Sequence, residues 1–164
     1  MPASSYILEL REKIGHMLIM SPGAAAFITN ERGEILLQHR SDDLRWGLPG
    51  GAVDPGEDPA DAVVREVREE TNLEVIPERL TGLYSGPEWR HVYPNGDEIM
   101  VIGMVFACRV IGGTLAINDD ESLELRYFPP DQLPAQLFPR HQQYINDALK
   151  GQLTASFRFQ GEYQ

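Results

Sequence analysis

The sequence has little cysteine and few cationic side chains, and both shortages limit what the protein can be. Its 164 residues include one cysteine, Cys108, so no intrachain disulfide can form. Cys108 lies in an apolar run, which predicts a buried, unreactive thiol and fits a reducing, cytoplasmic compartment. The 14 basic residues are outnumbered by 25 acidic ones, which gives a formal net charge of −11. This charge argues against binding to nucleic acid or to anionic membranes, because both need cationic surface.

Long hydrophobic runs, internal repeats and low-complexity linkers are also missing. Charged residues interrupt the apolar positions of residues 1–20, so we expect neither a signal peptide nor a membrane span. The length and the 42% hydrophobic content suit one domain with a sizeable core. We therefore expect a single domain over residues 1–164, ending in a C-terminal tail.

Hydrophobic periodicity and turn residues divide the chain into helices and strands. Helical spacing predicts a short N-terminal helix over about residues 5–15, a second helix over 59–71 and a third over 140–149. The mixture of strands and helices without a regular βαβ repeat predicts an α/β fold, in which a mixed β-sheet is sandwiched between α-helices.

The predicted strands are short and separated by turn signals. Residues 24–30 and 34–40 flank a turn at Gly33 and are predicted to pair as a hairpin. A hairpin-like turn is expected at 93–98, and residues 41–56 are predicted to form a loop. The remaining strands are expected at 73–75, 80–84, 99–110 and 125–128.

The helix over 59–71 carries an unusual charge pattern. Asp58 is a favourable N-cap, and Pro59 suits the first helical position. Glu66, Glu69 and Glu70 then fall on one arc beside the apolar face. Such an arc is often only a solvated surface, but like charges at this spacing repel unless a cation lies between them.

The residues around these glutamates resemble the Nudix box, the signature of the Nudix hydrolase family. Gly51 and Glu57 precede the run Arg-Glu-Val-Arg-Glu-Glu-Thr-Asn-Leu, which ends at Leu73, at the spacing of that motif. Asn72 departs from the pattern, since the family usually has glycine there. Asn tolerates the left-handed conformation common after a helix, so no catalytic group is affected. Flanking segments extend the resemblance over about residues 23–149.

The resemblance implies a Nudix fold and metal-dependent hydrolysis of a diphosphate bond. It assigns Glu69 and Glu70 to metal binding, and Glu66 to metal binding or to the role of general base. Mg²⁺ is the expected ion, with Mn²⁺ as a substitute, because carboxylate oxygens suit hard cations. The number of ions and the identity of the general base stay open.

Other residues are expected to support this centre. Arg65 and Glu57 are predicted to pair and to orient the catalytic helix and loop, although an ordinary surface ion pair is the alternative. By resemblance, the carbonyl of Gly50 is a further metal ligand. One more acid is expected from a later loop, and we favour Glu121 among Asp119, Asp120, Glu121 and Glu124, where a polar turn is the competing interpretation.

The sequence says less about the substrate. Aromatic and basic side chains before and after the box suit base stacking and phosphate contacts, and the candidates are Arg45, Trp46, Trp89, Arg90 and Tyr93. The alternative is that these aromatic residues pack on the sheet or on a partner subunit. The N-terminal helix and the aromatic hairpin are candidate contacts of a homodimer, but the sequence does not fix the oligomeric state.

Three functions follow from the resemblance. The first is hydrolysis of a nucleoside diphosphate linked to another moiety, such as ADP-ribose, a nucleotide sugar or a CDP-alcohol. The second is a pyrophosphatase that removes damaged nucleoside di- or triphosphates. The third, of another class, is a non-catalytic nucleotide sensor. The retained glutamates favour catalysis on a small nucleotide, without nucleic-acid or membrane partners.

Overall fold

The computed structural model describes residues 5–93 and 95–159. Within these residues the helices are α1 (Ser5–Ile14), α2 (Pro59–Thr71) and α3 (Pro139–Leu149). The strands are β1 (Ile19–Ile28), β2 (Ile35–Arg40), β3 (Trp46–Gly47), β4 (Gly50–Ala52), β5 (Leu73–Tyr84), β6 (Arg90–Val92), β7 (Glu98–Gly113) and β8 (Ser122–Phe128). No helix in the described part of the chain is long and apolar enough to span a membrane.

The strands form two sheets. The larger one has the order β4-β1-β7-β5, with β6 paired to β7, and the smaller one has the order β3-β2-β8. Strands β1 and β7 run parallel, with Ile19 opposite Ile99, whereas the other pairs are antiparallel. The predicted mixed sheet is therefore confirmed.

Strand β1 shows why helices cover both faces of the larger sheet. Successive side chains of a strand point to opposite faces. Ala24, Ala26 and Ile28 accordingly join the core that contains the α2 valines, whereas Phe27 joins the core that contains Ile145 of α3. The sheet lies between α2 and α3, as predicted.

The cysteine lies in the core on the α2 side. Cys108 is 7% exposed and unpaired. Burial raises the pKa of its thiol to about 12, so the thiol stays protonated and unreactive at neutral pH. The expectation of a buried cysteine is confirmed.

The predicted hairpin of residues 24–30 and 34–40 is wrong. The turn itself exists, because Gly33 has a φ of +75° and its N–H donates to Asn30 O. However, the pairing stops at one isolated bridge between Thr29 and Ile35. Both edges of β1 are occupied by β4 and β7, so β2 joins the other sheet and pairs with β3 and β8.

Other boundaries differ less. Residues 73–84 form one strand with three register shifts instead of two short strands. The predicted loop over 41–56 contains the two short strands β3 and β4. The turn at 93–98 does connect paired strands, with the Tyr93 N–H donating to Asp97 O at 2.8 Å, although Pro94 lies outside the described residues.

Candidate active site

Helix α2 begins and ends where the sequence predicts. Asp58 has extended backbone angles, and its carbonyl accepts hydrogen bonds from the N–H groups of Asp61 and Ala62, both at 2.9 Å. Its side chain makes no capping hydrogen bond. Asn72 follows the helix in the left-handed region, with φ 58° and ψ 15°. Its side chain donates to Thr114 O at 3.0 Å, which ties the helix end to the segment after β7.

The three glutamates of α2 differ strongly in exposure. Glu70 is 3% exposed and Glu66 is 9% exposed, whereas the side chain of Glu69 is 57% exposed. The helix therefore turns Glu70 toward the sheet and Glu69 toward solvent, with Glu66 between them. A carboxylate buried to the extent of Glu70 needs compensation for its lost hydration.

Glu70 receives only part of that compensation. The Gly50 N–H donates to Glu70 Oε2 at 2.8 Å, but the buried Oε1 has no hydrogen-bond partner among the described residues. Burial raises the pKa of Glu70 to about 8, and the nearby charge of Glu66 adds to the rise. The unpartnered oxygen is where a proton or a cation would stabilise the site.

Gly50 must be glycine for this contact to form. Its φ is +144°, and an added Cβ would lie 2.3 Å from Ala24 O and 2.6 Å from Ala25 Cα. Strand β4 can therefore approach β1 closely enough to point the Gly50 N–H at Glu70. The structure thus gives Gly50 a role through its N–H, while the role of its carbonyl as a metal ligand stays a prediction.

Arg65 and Glu57 form the predicted pair across the junction of loop and helix. Arg65 Nε and Nη2 donate to the two Glu57 oxygens, each at 2.9 Å. These hydrogen bonds lower the pKa of Glu57. Arg65 also donates to Glu66 at 2.9 Å, to Glu69 at 3.2 Å and to Ala52 O at 3.0 Å. One guanidinium therefore connects the loop, strand β4 and two of the three clustered carboxylates.

Glu121 lies close enough to influence this cluster. Burial raises the pKa of Glu66, the hydrogen bond from Arg65 opposes the rise, and the charges of Glu69 and Glu121 add to it. In the same loop, Asp119 Oδ1 accepts from the Glu121 and Ser122 N–H groups. Among the four candidate acids, Glu121 is the one whose charge acts on Glu66.

The donor chemistry of the cluster fits a divalent metal ion. Its available atoms are carboxylate oxygens, which Mg²⁺ and similar hard ions prefer, and Glu70 Oε1 is buried without a partner. In the described residues, no three Asp, Glu, His or Cys side chains already converge on one point. Arg65 forms ion pairs with Glu66 and Glu69.

Two residues of β2 complete the surroundings of Glu70 and were not predicted. The Gln38 amide and the Arg40 charge both act on the pKa of Glu70. Gln38 is 1% exposed, donates to Ser122 Oγ at 2.8 Å and has an unpartnered Oε1. The available signal was the alternation of Gln38 and Arg40 with Leu37 and His39, which places two polar groups on one face of the strand.

Trp89, which was predicted to stack on a base, is buried in the structure. Trp89 is 2% exposed, stacks on Tyr84 with ring centres 5.9 Å apart, and donates from Nε1 to Tyr144 Oη at 2.8 Å. It borders a cavity of about 690 Å³ beside β5 and α3, but none of the clustered glutamates lines that cavity. Trp89 belongs to the core, because the indole satisfies its one donor there.

The other predicted substrate residues lie on the surface or pack beside it. Trp46 is 7% exposed and stacks on His39, so it packs instead of presenting a face. Arg90 is paired with Glu98, and Tyr93 contacts His91 edge to face at 4.5 Å. Arg45 is exposed, with its guanidinium 5.2 Å from the centre of the Phe138 ring.

Comparison with known proteins places this chain in a family. A model of the NUDIX domain matches residues 20–148. A putative 8-oxo-dGTP diphosphatase of Bacillus subtilis (strain 168) is 34% identical over 129 residues, which cover 79% of this chain and 80% of that protein. An ADP-ribose pyrophosphatase of Methanocaldococcus jannaschii is 33% identical over 151 residues, which cover 90% of this chain and 85% of that protein.

A solved structure supports the fold. A NUDIX hydrolase from Nitrosomonas europaea superposes with a TM-score of 0.67 at 24% identity, covering 88% of this chain and 100% of that one. The chain therefore belongs to the Nudix family and has its fold. It is a Nudix hydrolase, of the family that acts on small nucleotide substrates and generally uses a divalent metal ion.

Proposed function

We propose that the protein hydrolyses a diphosphate bond in a nucleoside diphosphate linked to another moiety. The observation that carries the proposal is Glu70, a buried carboxylate fixed by the Gly50 N–H with one oxygen left without a partner. Burying such a group without a partner is unfavourable for folding alone. Its position between Glu66 and β4 is explained if the unpartnered oxygen binds a cation during catalysis.

The metal ion is Mg²⁺, with Mn²⁺ as a substitute. Its ligands are drawn from Glu66, Glu69, Glu70, the Gly50 carbonyl and Glu121. When bound, the ion would activate a water molecule and neutralise charge on the phosphate oxygens. Arg65 orients Glu57, Glu66 and Glu69 through the hydrogen bonds described above, and Glu66 serves as a ligand or as the general base.

The names of two relatives support two substrate classes. The Methanocaldococcus jannaschii relative is an ADP-ribose pyrophosphatase, which favours a nucleoside diphosphate joined to a second group. The Bacillus subtilis relative is a putative 8-oxo-dGTP diphosphatase, which favours the alternative, removal of damaged nucleotides. The first class is preferred because the match to the archaeal relative covers more of both chains. A non-catalytic sensor is disfavoured, since all the box glutamates are retained.

The remaining expectations concern location and partners. We propose a cytoplasmic protein that binds neither nucleic acid nor membranes, in keeping with the net charge of −11. We also propose a homodimer. Exposed apolar side chains on α1, including Tyr6 and Leu8 at 46% and 56% exposure, support that proposal.

The test is a substrate panel with Mg²⁺. Purified protein is incubated with ADP-ribose, nucleotide sugars, CDP-alcohols and nucleoside triphosphates, and the products are separated by chromatography. We expect hydrolysis of a diphosphate-linked compound, lost in the Glu69→Gln/Glu70→Gln double variant and retained in Glu74→Gln, an exposed control. Consumption of no compound above the double variant would overturn the proposal, and preference for triphosphates would favour the alternative.

A further inference from the structure

Two arginines lie at one aromatic ring beside the candidate active site. The guanidinium carbons of Arg45 and Arg140 are 5.2 Å and 5.0 Å from the centre of the Phe138 ring. The ring is held in place by its own backbone, because the Phe138 N–H donates to Trp46 O at 2.8 Å. A cation–π contact stabilises one guanidinium, but it does not remove the repulsion between two.

Neither arginine is neutralised by the protein. Within the described residues, no carboxylate oxygen lies within 4.0 Å of the Arg45 or Arg140 guanidinium, although the chain has 25 acidic residues. The nearby acids serve Arg40 instead, which pairs with Asp42 at 2.5 Å and approaches Asp43 at 4.0 Å. Two guanidiniums that share one ring and form no ion pair are suited to binding an anion. Arg140 also donates to Trp89 O at 3.3 Å.

The backbone sets the distance of this pair from the glutamates. Trp46, which holds Phe138, precedes Gly50 by four residues, and an extended chain of that length spans at most about 14 Å. The Gly50 N–H in turn holds Glu70. The charges of Arg140 and Arg45 act on His91 of β6, as do the opposing charges of Asp43 and Asp42, so β6 borders the same region. The arginine pair and Glu70 are therefore both held by one short segment of backbone, residues 46–50.

We infer that the moiety beyond the scissile diphosphate carries its own carboxylate or phosphate, which Arg45 and Arg140 bind. The inference rests on the proposed function and narrows its substrate class. It assigns the recognition of the second moiety to a charged pair, one member of which, Arg45, was a predicted substrate contact. Arg45 and Arg140 are specificity-determining residues in this scheme, and neither takes part in bond cleavage.

Matched substrates that differ by one anionic group test the inference. UDP-glucuronate and UDP-glucose differ by a carboxylate on the second moiety, whereas ADP-ribose 1″-phosphate and ADP-ribose differ by a phosphate on it. In at least one pair we expect kcat/KM for the member with the extra anionic group to exceed that of its counterpart by about tenfold or more, since charge-assisted hydrogen bonds reach that size. The pair that shows the difference identifies the source of the anion.

Variants separate charge recognition from packing. Arg45→Gln and Arg140→Gln should abolish the preference for the member with the extra anionic group, because its kcat/KM should fall by more than that of its counterpart. Lysine at either position should restore part of the preference. Arg109→Gln, which removes an exposed arginine paired with Glu78, is the control. Equal losses for both members would overturn the inference.

A binding measurement decides the inference independently of turnover. Dissociation constants of the four compounds are measured by calorimetry without added metal, for the wild type and for both glutamine variants. Tighter binding of the member with the extra anionic group, if it is lost in the variants, supports the inference even when no compound is hydrolysed. A lack of hydrolysis would count against the proposed function alone. Equal constants within both pairs would overturn the inference even if hydrolysis occurs.

Discussion

The Gly50 N–H donates to Glu70 Oε2 at 2.8 Å, across a separation of twenty residues. This hydrogen bond joins β4, at the start of the Nudix box, to the last turn of α2, the helix that carries the glutamates of the box. It forms because Gly50 adopts a backbone conformation closed to other residues and because α2 turns Glu70 inward. The motif is therefore a structural unit, in which the Gly50 backbone donates a hydrogen bond and the Glu70 carboxylate accepts it.

Replacing Glu70 by Gln should change how stability depends on pH. The pKa of Glu70 is 4.5 in a reference peptide and about 8 in the fold. The folded protein therefore holds a proton that the unfolded chain releases, and its stabilising effect, complete below pH 4.5, is lost as the pH rises toward 8. Glu70 should lower the free energy of unfolding by up to about 1.4 kcal/mol per pH unit in this window.

Urea unfolding in EDTA at several values between pH 5 and pH 8 measures this effect. The difference in unfolding free energy between Glu70→Gln and the wild type should grow with pH, in favour of the variant. Added Mg²⁺ should stabilise the wild type more than the variant at pH 8. A difference that does not change with pH would show that Glu70 is not a buried acid with a raised pKa.

Arg65→Lys should reduce metal affinity and turnover while leaving the fold intact. A lysine cannot reproduce the paired hydrogen bonds to Glu57 together with those to Glu66 and Glu69. Loss of such an orienting group typically costs about 10- to 100-fold in metal affinity or activity. Mg²⁺ titrations of kcat measure both quantities.

The matched control is Arg68→Lys. Arg68 lies on the same helix, is exposed, and its side chain has no acidic partner within the described residues. Its replacement should change neither quantity by more than about twofold. Similar effects of the two substitutions would mean that Arg65 forms only an ordinary surface ion pair.

Much of the site could be predicted because its chemistry is local. The cap, the apolar face and the glutamate spacing all belong to one helix, and α2 runs from Pro59 to Thr71 as predicted. The pairing of Arg65 with Glu57 spans only eight residues. Local periodicity and charge spacing were sufficient for these features.

What could not be predicted depends on contacts between distant segments. The turn at Gly33 formed as expected. However, β1 and β2 do not pair, because β7, a strand distant in sequence, occupies one edge of β1. Gln38 of β2 acts on Glu70 of α2, which lies 32 residues further along the chain. The aromatic character of Trp89 suited a binding loop and a core equally well, and the partner that decided between them, Tyr144, lies on α3.

The residue after α2 gives a prediction about backbone strain. Asn72 has a φ of 58°, which glycine adopts freely and which most side chains disfavour by about 1–2 kcal/mol. Asn72→Ala should lower the free energy of unfolding by about 1–2 kcal/mol. Asn72→Gly relieves strain but loses the hydrogen bond to Thr114 O, so its net change should stay within about 1 kcal/mol.

Chemical denaturation of the two variants checks the sign and the order of these changes. Both should retain the kcat of the wild type, because Asn72 contributes no group to the cluster of glutamates. An alanine variant as stable as the glycine variant would show that the left-handed conformation is not maintained in solution. A large loss of kcat in Asn72→Gly would instead give this side chain a part in catalysis.

Substitutions at Trp89 distinguish a core residue from a substrate platform. Trp89→Phe keeps a ring in the core but loses the hydrogen bond to Tyr144 Oη, which should cost about 1–2 kcal/mol of stability. Trp89→Ala should cost about 3–5 kcal/mol, the usual range for a buried aromatic residue.

If Trp89 only packs, KM for the preferred nucleotide in Trp89→Phe should stay within about twofold of the wild type. A stacking platform would instead raise KM, since removing a base stack costs about 1–3 kcal/mol of binding. The unfolding free energy and KM should be measured on the same preparations. A loss of packing lowers the unfolding free energy, whereas the loss of a stacking platform raises KM.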